Sequence, residues 1–201
     1  MIAIALAVAD GNSAARRQQR SPQHLDNQRR LSKDEELKEA TQRFTFRGKP
    51  TNPLAIRDLL SLLTDEYPGP VAIAMEGTTE IRYFGGLTAK PKTDGSIWTN
   101  LEDGGYFGYQ RLGVLANGIQ VLKTWESGGG SGIFTSLLLV SFRIDEEYTE
   151  DGSRSQLVLV RRGEIGLGDR YDGEVQVSAN SIMVGADKRK GGRPARIIRL
   201  E

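Results

Sequence analysis

Residues 106–125 read YFGYQRLGVLANGIQVLKTW, two apolar-rich runs either side of Asn117-Gly118. An Asn-Gly pair between alternating apolar residues is the strongest short-range hairpin signal, because both residues accept the positive φ of a type I′ turn. Counting outward from a two-residue loop pairs Ala116 with Ile119, Leu115 with Gln120, Val114 with Val121 and Leu112 with Lys123. Ala116, Val114, Ile119 and Val121 then share one face, as burial of that face requires. The same count sets Trp125 opposite Gln110, on the face of Val114 and Val121.

The next run continues the pattern. Phe134, Leu138, Val140, Phe142 and Ile144 alternate along one side, with Leu137 and Leu139 on the other. A strand apolar on both sides belongs inside a sheet whose two faces are covered. Leu157–Val160 has the same character, and 174–179, 181–184 and 197–200 supply further strand candidates. Asp145–Arg154 reads as an acidic loop and Gly163–Gly173 as irregular, on their charge and glycine content.

On the N-terminal side, Ile97–Leu101 alternates as a strand, preceded by a turn at Lys90–Gly95. Val71–Glu76 and Ile81–Leu87 are strand candidates. Asn52-Pro53 is an N-cap followed by proline at the first helical position, and the apolar arc from Leu54 to Leu63 predicts a helix packed against the sheet. Ser32-Lys33-Asp34-Glu35 has capping-box spacing and opens a short helix with little to bury, at the domain's edge.

The residues before it divide in two. Asp10–Arg30 is polar and Arg/Gln-rich, without the apolar area to offset its ordering entropy. Its arginines could touch phosphates or an acidic membrane, but the interleaved Asp26 and the lack of aromatics favour a solvated linker. Met1–Ala9, MIAIALAVA, reads as the end of a signal peptide with small residues at Ala7 and Ala9, although no basic residue precedes it. It is too short to span a bilayer.

Composition narrows the chemistry. The chain of 201 residues has no cysteine and one histidine, His24, within the polar segment. Disulfides, thiolate nucleophiles, Cys-ligated metals, a Ser-His-Asp triad and multi-His zinc sites are thereby disfavoured. A net charge of +1 gives no global electrostatic steering.

Three features remain as candidate sites. Glu126–Gly132 (ESGGGSG) is a glycine loop, but it lacks the Gly-Lys-Ser/Thr ending of a phosphate loop and leads into a strand. Asp145–Asp151 is acid-rich but departs from the calcium-loop pattern. Glu102 or Asp103 with Glu126 is the pair a carboxylate-based hydrolase would use. The densest feature is aromatic. Trp98, Tyr106, Phe107, Tyr109 and Trp125 share one window, and rings beside carboxylates make platforms for sugars or peptides.

The sequence therefore predicts a mainly β fold, a single β-sandwich-like or strongly bent antiparallel sheet domain over 44–201 with one packed α-helix at about 53–63. Ahead of it come the apolar stretch 1–9 and a polar segment, 10–43, carrying a short helix. The function read from it is a non-enzymatic extracytoplasmic binding or interaction module for a glycan, peptide or protein. Its ligand-facing residues are Trp98, Tyr106, Tyr109, Trp125 and Glu126. The alternatives are a carboxylate-based glycan hydrolase and a binder of anionic surfaces or nucleic acid through the basic tail. No catalytic residue, metal or cofactor is assigned, and no membrane span. The location is secreted or periplasmic if the N-terminus is a signal, and cytoplasmic otherwise.

Overall fold

The computed structural model describes residues 31–60, 71–78, 89–189 and 191–199. In chain order these form α1 (Lys33–Arg43), β1 (Thr45–Phe46), β2 (Lys49–Pro50), α2 (Pro53–Asp58), β3 (Ala72–Ala74), α3 (Met75–Thr78), β4 (Lys90–Pro91) and β5 (Ile97–Asn100). They continue with β6 (Tyr106–Val114), β7 (Gln120–Ser127), β8 (Phe134–Thr149), β9 (Gly152–Asp169), β10 (Val175–Val177), β11 (Ser181–Val184) and β12 (Arg196–Arg199). The protein is mainly β, built on a strongly curled antiparallel sheet in the order β3-β9-β8-β7-β6-β5-β4. A second sheet, β10-β11-β12, and the short pair β1-β2 complete it. The apolar segment 1–9, the polar segment 10–30 and the expected strand 81–87 lie outside the described residues. The helix expected over about 53–63 stops short at Asp58, with Leu59 as its C-cap, and the strand expected over 71–76 ends at Ala74, where α3 begins.

Strand alternation divides the core in two, as side chains on successive residues must. On one face Phe107, Tyr109, Leu122, Leu138, Val140, Leu157 and Leu159 pack with Phe44, Leu54, Ile56 and Met75 from the helical segments. On the other, Val121, Leu137, Leu139 and Leu167 pack with Ile182 and Val184 of the small sheet. We call these the helix face and the β face. β8 is covered on both sides, as its two apolar stripes predict.

The helices begin as their caps require. The Asn52 side chain accepts the Leu54 N–H at 2.9 Å, with Pro53 at the first helical position. At Ser32 both halves of the capping box are formed. α1 is better anchored than an edge helix would be. Ala40 is fully buried, and the buried Glu36 carboxylate is held by Lys33 and Arg47 at 2.9 and 3.0 Å. Its C-cap, Phe44, takes the left-handed conformation with φ 56°. That conformation costs an L-residue about 1–2 kcal/mol, offset here by a ring packed between Tyr109 and Phe142 at 5.8 and 5.5 Å.

Three further sequence expectations are corrected. The β6–β7 hairpin forms, but its loop has three residues. Gly118 N–H donates to the Leu115 carbonyl at 2.9 Å and Leu115 N–H to that of Ile119 at 2.8 Å. Only Gly118 has positive φ, 82°, while Asn117 does not. That is a type I turn closed by a left-handed glycine rather than type I′. Val114 therefore opposes Gln120, and a bulge between Arg111 and Gly113 shifts the register again, so Trp125 opposes Gly108 instead of Gln110. Leu115 is buried and Val114 exposed, because a one-residue slip exchanges faces.

Next, Asp145–Arg154 is no loop. β8 and β9 run on as a two-stranded ribbon to the pair Thr149–Gly152, with turn residues 150 and 151 between them. Finally, 163–169 is strand: Gly163, Gly166 and Gly168 pair with Leu139, Ser136 and Thr135 across two register shifts.

Candidate functional site

Trp98, Gly108, Trp125 and Thr135 form one row across β5, β6, β7 and β8. Gly108 is what lets the row close. A Cβ at Gly108 would stand 2.5 Å from Cδ2 and Cε3 of Trp98, so the indole lies directly across the glycine backbone. From there it stacks on Trp125, with centroids 5.3 Å apart and planes at 20°. Tyr106, one row on, meets Trp98 at 5.3 Å and 56°. All three rings are partly exposed. They sit on the β face, toward the β4–β5 edge of the curled sheet.

The indole orientation is fixed by a short relay. Trp98 Nε1 donates to Ser96 Oγ at 2.6 Å, and Ser96 Oγ and N–H both donate to Asp94 Oδ1, at 2.6 and 2.9 Å. Those bonds hold the Asp94 carboxyl below its ordinary range. Two cations border the rings. Lys92 Nζ stands 3.8 Å from the centroid of Trp98, and Lys123 Nζ lies 5.3 Å from both Trp125 and Tyr171. Neither ammonium has a carboxylate within ion-pair distance among the described residues. Burial lowers the Lys123 pKa from its ordinary value, partly opposed by the charge of Asp172. The result is an aromatic shelf with two ammonium groups at its borders, chemistry suited to a ligand with an apolar ring face and anionic substituents.

Of the five residues singled out in the sequence, the structure brings Trp98, Tyr106 and Trp125 together and places the other two on the helix face. Tyr109 is buried, its hydroxyl donating to the Thr51 carbonyl at 2.7 Å, and burial raises its pKa. Glu126 pairs with Arg57 of α2, with Oε1 2.8 Å from Nε and 2.6 Å from Nη2. It borders a groove of about 400 Å³ that also touches Thr124, Phe134, Ser136 and Glu164. Asp103, the other member of the carboxylate pair, accepts the Gly105 N–H at 3.0 Å in the β5–β6 turn. The glycine loop serves as a β7–β8 connection, tied at its end by Ile133 N–H donating to Asp169 at 2.7 Å.

Sequence reasoning missed Gly108, Lys92 and Lys123. A glycine flanked by Phe107 and Tyr109 within a strand was the available signal, since such a residue marks close approach by another group. Comparison of the chain with family models, curated proteins and solved structures returns no significant match.

Proposed function

We propose that this protein is a non-enzymatic binding module whose ligand is a carboxylated glycan, held on the Trp98–Trp125–Tyr106 shelf. The observation that carries this reading is the conjunction of three partly exposed, mutually packed rings with two ammonium groups that lack ion-pair partners among the described residues. Sugar rings present C–H faces that pack on indoles, and carboxylates would meet Lys92 and Lys123. A non-enzymatic role is supported by the Glu126 carboxylate, which is engaged with Arg57 on the opposite face from the rings. The apolar 1–9 stretch favours an extracytoplasmic location. No helix among the described residues is long and apolar enough to cross a membrane.

The test is an array of neutral and acidic glycans with acidic peptides alongside, followed by calorimetry on each hit. Acidic glycans should be retained above neutral ones, and Trp125→Ala and Lys123→Gln should each weaken binding at least tenfold without preventing folding. Retention of peptides alone, or binding indifferent to both substitutions, would overturn the proposal.

A further inference from the structure

Beside the rings, on the same β face, runs a second and polar row. The strand registers set it. Lys90 pairs with Trp98 and Pro91 with Ile97, so Lys92, whose N–H donates to the Ser96 carbonyl at 2.8 Å, is the next residue on that face. Ile97 pairs with Tyr109, which sets Ser96 beside Gln110, and Gln110 pairs with Lys123. Lys92, Ser96, Gln110 and Lys123 thus cross the lines of β4, β5, β6 and β7 in one row, two residues along from Trp98 and Trp125. Residues two apart on a strand share a face.

The members of this row differ in kind. Ser96 is buried and holds the Trp98 indole. Lys92 and Lys123 place a charge at each end, three strand spacings apart, about 14 Å at the backbone. Between them stands the half-buried Gln110. Its Nε2 donates to the Asp94 carbonyl at 2.7 Å, and its Oε1 has no donor among the described residues. The charges of Asp94 and Asp172 reach Lys92 and Lys123 without forming an ion pair with either. Tyr171 closes the Lys123 end, its own hydroxyl donating to the Gly185 carbonyl at 2.8 Å.

A row of cation, neutral amide and cation is complementary to a chain of acid, neutral and acid groups. Building on the shelf reading, we infer that the ligand is a linear glycan lying across the strands, with acidic sugars on either side of a neutral one. The sugars lay their C–H faces on Trp98 and Trp125, and the two carboxylates meet Lys92 and Lys123. A hydroxyl of the middle sugar donates to Gln110 Oε1. A chain with one acid leaves an ammonium unmatched, and a chain acidic at every residue sets its middle carboxylate over an uncharged amide.

Calorimetry on the full chain tests this with four trisaccharides. One is hexuronic acid–hexose–hexuronic acid, two are its analogues with either carboxyl reduced to the alcohol, and the last is acidic at all three positions. The two-acid chain should bind about fivefold tighter than the better one-acid analogue, the upper range for an exposed ion pair. The three-acid chain should gain nothing more. Lys92→Gln should weaken the two-acid chain about fivefold and leave the better analogue, whose acid stays at Lys123, unchanged. Trp125→Ala should weaken all four. Equal binding of one-acid and two-acid chains, a tighter three-acid chain, or Lys92→Gln weakening one-acid and two-acid chains alike would overturn the acid–neutral–acid assignment and leave the shelf standing. Failure of all four to bind, or binding that survives Trp125→Ala, would overturn the shelf reading and this assignment with it.

Discussion

Gly108→Ala is the substitution most informative about the aromatic shelf. Gly108 has no positive φ, so alanine meets no backbone strain there. Its methyl group would instead stand 2.5 Å from Cδ2 and Cε3 of Trp98 and 2.8 Å from Cε2, well inside contact distance. The indole must lift, and in doing so it loses the stack on Trp125 and the bond from Nε1 to Ser96. Overpacking of this kind costs about 1–3 kcal/mol, and an aromatic pair adds about 0.5–1.5 kcal/mol. A loss of roughly 2–4 kcal/mol follows from those terms together. The assay is a double-mutant cycle by urea unfolding, with Gly108→Ala made in the native protein and in Trp98→Ala. Without the indole the methyl loses its three nearest contacts, all of them Trp98 atoms, and a residue other than glycine is favoured in a strand. The cost should therefore vanish or change sign in the second background. Equal costs in the two backgrounds would refute the reasoning, since the clash would then lie elsewhere.

Other outcomes follow from single contacts. Gly118→Val should cost at least about 1–2 kcal/mol because of its φ of 82°, whereas Asn117→Ala should cost well under that; comparable costs in denaturation midpoint would restore a type I′ turn. Asn52→Ala should lower stability by about 1 kcal/mol, and an unchanged midpoint would reject the cap at α2. Tyr109→Phe tests the buried phenol through pH. The folded pKa of Tyr109 is raised above its ordinary value of 10.0, so the unfolded chain releases that proton first and stability falls as pH rises past about 10. The variant should be less stable near neutrality by about 1–3 kcal/mol, with the Thr51 carbonyl left unpaired, and the gap should close in alkali. A gap constant across that range would contradict the assignment.

How far the sequence could be read depended on which signals were local. The caps at Ser32 and Asn52, the glycine at position 118 and the two apolar stripes of β8 are local chemistry, and the structure has them as expected. Register was not local. Asn-Gly suits both a type I′ turn and a type I turn closed by a left-handed glycine, and the two differ by one residue of pairing. The ribbon beyond Ile144 was hidden because its alternating positions are charged or polar. Gly163, Gly166 and Gly168 looked like breaks because glycine in a bulged strand and glycine in a turn read alike. The split of the candidate site was legible in advance. Residues 125 and 126 of one strand cannot share a face, nor can 106 and 109, whatever the register. The contributions of Lys92 and Lys123 depend on cross-strand distances that composition does not carry.

Ligand held at the rings can be detected directly, because the chain's composition isolates the readout. Its two tryptophans, Trp98 and Trp125, both belong to the shelf, so every indole N–H signal in a proton–nitrogen correlation spectrum reports on the site. Titration with a carboxylated glycan retained on the array should move both indole signals together, saturating at the affinity measured by calorimetry. Saturable binding that leaves both indole signals in place would contradict binding at the rings.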